Sequence, residues 1–117
     1  MEVASMTYIC APYSHADPLI RLARFEAVNR FAARLMRQGN HVFSPLSHSH
    51  PIAMAGELPT DFEYWQALNR IWLSNCHRVI VLMLPGWRDS VGVAGEIKIA
   101  TSIGLPIDYR NESEANE

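Results

Sequence analysis

The residue with the strongest claim on chemistry in this sequence is Glu96, in the segment VGVAGEIKIATSIG. At about 100° per helical residue, Val93 lies roughly 60° to one side of it and Ala100 roughly 40° to the other. Ile99 and Ile103 fall in the same arc, while Lys98, Thr101 and Ser102 point away. A carboxylate inside an apolar helix face costs several kcal/mol unless it is partnered. Glu96 is therefore either one half of a buried ion pair with an arginine or a functional carboxylate. Asn69 occupies the same kind of position, with Phe62, Trp65, Trp72, Leu73 and Cys76 projecting within about 60° of it on a helix. Such an amide needs hydrogen-bond partners, from core backbone or from a polar pocket. Ser90, followed by Gly92, precedes the Glu96 segment; it reads as an N-cap, and a helix start of this kind is also an anion site. The histidines His15, His48 and His50 lack the carboxylate or cysteine companions of a usual zinc site, so no metal is expected.

The elements that must position these residues alternate between strand and helix. MTYICAP (6–12) reads as a short strand ended by Pro12. Asp17 as N-cap, Pro18 at the first position and Gly39-Asn40 as a stop predict a long helix, with Leu22, Phe25, Phe31, Leu35 and Met36 as its apolar stripe. Arg30, Arg34 and Arg37 with Glu26 form its solvated face. Residues 41–45 predict a second short strand, and LSHSHPIAMAGELPT a long irregular connection of the kind that carries function. A helix starting near Asp61 follows. Then comes HRVIVLML (77–84), apolar nearly throughout and so central in a sheet. The loop PGWRDSVG leads into the Glu96 helix, with Gly104 as its cap, and LPIDY closes the sheet. The tail RNESEANE reads as frayed. This alternation predicts one α/β domain over residues 1–110 with residues 111–117 as tail: a flavodoxin-like or Rossmann-like three-layer sandwich with a mostly parallel sheet of four or five strands. In such sheets ligands bind beyond the carboxyl ends of the strands. Candidate substrate-binding residues are therefore Pro12, Tyr13, Ser14, His48, Trp87 and Asp89, with Ser90 and Gly92.

Composition narrows the class. The chain has 117 residues, 49% hydrophobic and 19% charged, with a formal charge of −2. It can bury a core. A nucleic-acid binder would carry a basic excess, and no apolar run approaches the roughly 18–20 residues of a membrane span. The first ten residues have no basic and apolar signal pattern, and Cys10 and Cys76 sit in apolar surroundings as reduced thiols, so a cytoplasmic protein is expected. There is no Walker motif, no G-x-G-x-x-G after the first strand and no G-x-S-x-G elbow.

The opening Tyr8-Ile9-Cys10-Ala11-Pro12-Tyr13-Ser14, the later Pro85-Gly86-Trp87 and the spacing Ser90-x-Gly92-x-x-x-Glu96 together resemble the nucleoside 2-deoxyribosyltransferase superfamily, over roughly residues 6–108. The resemblance implies that Glu96 is the nucleophile attacking the anomeric carbon and that Tyr8 helps hold it. It implies a serine in contact with phosphate at Ser90, as in hydrolases of nucleoside 5′-monophosphates. Where members carry an aspartate serving the sugar or the leaving base, this chain has Asn69.

The chemistry fits the residues. A buried carboxylate beside C1′ stabilises an oxocarbenium-like transition state and can form a covalent intermediate. Trp87 or Tyr13 would stack on the base. The expected activity is retaining hydrolysis of a nucleoside 5′-monophosphate, or related deoxyribosyl transfer, with no cofactor and in a homodimer or higher homo-oligomer. Asn69 can orient a ligand but cannot deliver a proton, so the alternative is a catalytically silent nucleotide-binding module; a histidine-based metal hydrolase is the third reading.

Overall fold

The computed structural model describes residues 5–114 and shows an α/β fold with four parallel strands and four α-helices, consistent with a flavodoxin-like or Rossmann-like three-layer sandwich. The elements are β1 (Met6–Cys10), α1 (Pro18–Arg37), β2 (His41–Phe43), α2 (Pro45–Gly56), α3 (Phe62–Ser74), β3 (Arg78–Leu82), α4 (Val91–Ser102) and β4 (Ile107–Arg110). The strand order is β2-β1-β3-β4. β1 pairs with β3 from Thr7 opposite Arg78 to Cys10 opposite Val81, so the two most apolar strands are central. The chain leaves β1 toward β2 and later returns on its other side as β3, which opens a crevice at their carboxyl ends.

Strand periodicity sorts the core into two layers. Ile9 and Ala11 with Ile80 and Leu82 pack toward α1 and Leu46 of α2. Tyr8 and Cys10 with Val79 and Val81 pack toward Leu73 of α3 and Val93, Ile99 and Ala100 of α4. Both cysteines are buried and free. No helix among the described residues is long and apolar enough to cross a membrane.

Helix starts follow their capping residues. Asp17 accepts from the Leu19 N–H, Asp61 from that of Tyr64, and Ser90 from that of Val93. The buried face of α1 differs from the expected stripe: it is Ala27, Val28, Phe31, Ala32 and Leu35, while Leu22 is 41% and Met36 56% exposed. Small alanines let the helix close on the sheet, and the larger side chains at its flanks stay outside. Gly104, at φ 78°, stands one residue beyond the Ile103 cap of α4.

Two expectations are overturned. The connection expected to be irregular over 46–60 is helical to Gly56, and α2 also takes Pro45 from the expected strand: Ser44 caps it through the Ser47 N–H, Pro45 opens it, and Glu57 closes it in the left-handed region at φ 54°. Two prolines and the lack of an apolar stripe hid it from pattern reading, although proline at a first helical position is favourable. The tail is not frayed over residues 111–114: Glu112 pairs with Arg30 at 3.0 Å, its carbonyl accepts from Arg34, and the Asn111 N–H is bound by the Glu114 carboxylate. Residues 115–117 lie outside the described residues.

Candidate functional site

α4 starts beside the end of β3, and Glu96 lies a turn and a half along it, facing the sheet. It is 3% exposed. Its partner is not an arginine: the Tyr8 hydroxyl donates to Oε2, and the Cys10 thiol donates to Oε1 at 3.4 Å. Alternation along β1 puts both donors on the face that meets α4. Burial pushes the Glu96 carboxyl up to about 7, with the two hydrogen bonds opposing it. Burial, reinforced by the Glu96 charge, pushes Tyr8 and Cys10 well above their ordinary values, so both remain protonated donors near neutrality. Cys10 as a partner of the carboxylate was not anticipated from sequence; its place two residues after Tyr8 on a strand is the signal that would have found it.

Glu96 opens onto a cleft that is partly open to solvent. The cleft lies where the topology places it, past Ala11 at the end of β1 and bounded by Ser90 and Gly92 at the start of α4. Tyr13 and Ser14 come from the loop after β1. Asn69, Trp65 and Phe62 come from α3, and Leu46 and His50 from α2. Two latches hold its rim. The Arg24 guanidinium donates to the carbonyls of Ser14 (3.0 Å), Tyr13 (3.3 Å) and Pro85 (3.1 Å), joining the loops after β1 and β3. Gly86, at φ 90°, makes that join possible, since a Cβ there would sit 2.6 Å from the Arg24 Nη2. Across the mouth, the Ser14 hydroxyl donates to the Thr60 carbonyl at 2.7 Å. The α3–α4 wall depends on Gly95, where a Cβ would fall 2.4 Å from the Phe62 ring.

Seven sequence-derived candidates converge here. Tyr13, Ser14, Asn69, Ser90, Gly92 and Glu96 line the cleft, and Tyr8 sits fully buried behind Glu96. Four do not line it. Pro12 is fully buried, and Trp87 packs against Tyr109 with ring centroids 5.8 Å apart. Asp89 is exposed at the end of a short 3-10 turn. His48 is exposed, its ring edge-on to Trp72 at 4.9 Å. The histidine that does reach the cleft is His50, because on a helix residues two apart point about 200° away from each other.

Asn69 is 7% exposed, and its Oδ1 is buried without a hydrogen-bond partner. A buried acceptor left unpaired costs about 1–3 kcal/mol, which a ligand donor at this place would recover. Asn69→Leu, similar in size and without the polar atoms, is expected to raise the melting temperature of the free protein by a few degrees. A lowered melting temperature would show that the amide is satisfied from within.

A family model described as Domain of unknown function (DUF1937) matches residues 5–111. No curated protein matches the chain.

Proposed function

The chain belongs to the DUF1937 family, and from the chemistry of its cleft we propose that it is an N-glycosidase acting on a nucleoside 5′-monophosphate, or carries out the related deoxyribosyl transfer. The carrying observation is Glu96, a nearly inaccessible carboxylate held by two neutral donors at the wall of an open cleft. A structural carboxylate at this depth would be met by a cation. One met by Tyr8 and Cys10 keeps its negative charge available to whatever enters. In the proposed reaction the Glu96 carboxylate attacks C1′ and the base leaves. Water then releases the sugar from the enzyme with the original configuration retained. The low dielectric that makes Glu96 costly also strengthens its attraction for developing positive charge at C1′.

Among the described residues no Lys or Arg lines the cleft, so a phosphate would rest on neutral donors. Ser90 uses an oxygen lone pair to cap Val93, which leaves its O–H free to donate beside the first-turn N–H groups of α4. Charge-assisted bonds of this kind contribute about 1.5–3 kcal/mol, so 5′-monophosphates are expected to bind at least about ten-fold more tightly than the matching nucleosides. Thermal melting against both series measures the difference, because ligands of the native state raise apparent stability. Equal affinities across several bases would remove the phosphate assignment. The second reading, a silent nucleotide-binding module, is favoured by one observation: an amide, not an acid, stands at Asn69. Binding without base release by the wild type would select it.

A further inference from the structure

One polar pair in the cleft, Tyr13 and His50, takes no part in nucleophilic attack or phosphate binding. His50 lies on α2, buried, its ring stacked on Phe25 of α1 with centroids 4.4 Å apart and edge-on to Tyr13 at 5.4 Å. Its Nδ1 is hydrogen-bonded to the Tyr13 hydroxyl. With Nδ1 engaged and the ring clamped between two aromatic side chains, Nε2 is the nitrogen left for a ligand.

A glycosidic bond to a base breaks readily only if the departing nitrogen is protonated. The other cleft groups cannot supply that proton. Asn69 is an amide, Glu96 is the nucleophile, and Asp61 is occupied in capping α3 through the Tyr64 N–H. Burial raises the Tyr13 phenol above its ordinary value, which makes it a poorer acid still. Imidazole is the side chain that changes charge near neutrality.

We propose that His50 is the proton donor to the leaving base, acting through Nε2, with Tyr13 as its positioning residue. This rests on the N-glycosidase reading. In the first step a Glu96 oxygen bonds to C1′, the C1′–N pair goes to the base, and the Nε2 proton passes to that nitrogen. In the second, water bonds to C1′, the C1′–O pair returns to Glu96, and a water proton returns to Nε2. Nucleotide and water become free base and sugar phosphate. Burial and the Arg21 cation of α1 lower the His50 imidazolium below 6.5, which makes it a stronger acid. Tyr13 from the loop after β1, Asp61 before α3 and Glu96 on α4 are the other titratable groups on the cleft that it shares.

The test compares two leaving groups in a single turnover: the best natural nucleoside 5′-monophosphate, and 4-nitrophenyl riboside 5-phosphate, whose nitrophenolate departs without a proton. His50→Gln is expected to slow release about 10²–10⁴-fold on the nucleotide and at least ten-fold less than that on the nitrophenyl compound. Tyr13→Phe, which keeps the ring packing, is expected to show the same selectivity with a smaller loss and a shifted pH profile. Equal losses on both compounds, or no loss, would overturn the assignment while leaving the glycosidase reading intact if release still requires Glu96. Release from neither compound by the wild type would end both.

Discussion

Glu96→Gln is expected to fold and to bind nucleotide, yet to release base on the order of 10⁴-fold or more slowly than the wild type, the scale of losing a covalent nucleophile. The carboxamide keeps the volume of the side chain and an oxygen for the Tyr8 hydroxyl, so the contacts behind the cleft survive. What it lacks is the anionic oxygen that forms the glycosyl ester. The wild-type pH profile should carry the same signature. The nucleophile must be ionised, and burial pushes its carboxyl up to about 7. On a substrate whose leaving group needs no proton, release should climb roughly ten-fold per pH unit below that point and level off above it. Base release by Glu96→Gln at the wild-type rate would show that the carboxylate is not the nucleophile.

The same displaced titration makes Glu96 a stability sensor. The unfolded side chain ionises near 4.5 and the native one near 7. Between those values the native state holds a proton that the unfolded chain has lost, so each step up in pH favours unfolding. The contribution is at its full value below about pH 4.5, declines across the window and is gone above about 7, for a total of about 3 kcal/mol. Glu96→Gln removes this dependence. Denaturation of the two proteins should give similar stabilities at acid pH and a variant that is increasingly the more stable toward pH 8. Taking the difference isolates Glu96 from His50, whose lowered imidazolium works in the opposite sense. Curves that stay parallel from pH 4.5 to 8 would mean that the carboxyl is not desolvated in solution.

The two residues with the clearest anomalies in the sequence, Glu96 and Asn69, were legible because a helix has one period, and a polar group inside an apolar arc is conspicuous. Strand alternation and capping residues placed most of the architecture in the same way. What stayed hidden depended on contacts between segments far apart in sequence. Cys10, unlike the Tyr8 to which the resemblance pointed, stands 86 residues from Glu96, and only the parallel pairing of β1 with β3 brings it to α4. The failure at His48 was local in origin but larger in effect. Reading 46–60 as an irregular connection left the orientation of its histidines open, whereas on a helix choosing between positions 48 and 50 means choosing between opposite faces. Gly95 carried no signal at all, since a glycine in a helix shows its purpose only when Phe62 is seen lying against it.

Arg24 has a further consequence for the energetics of association. Three backbone carbonyls from two different loops converge on one guanidinium, so the rim segments that carry Tyr13, Ser14 and Pro85 share a common anchor before any ligand arrives. Freezing a loop on binding ordinarily subtracts from affinity through lost conformational entropy. Here that loss on the β1 and β3 side has already been met in folding, and a ligand keeps more of its contact free energy as affinity.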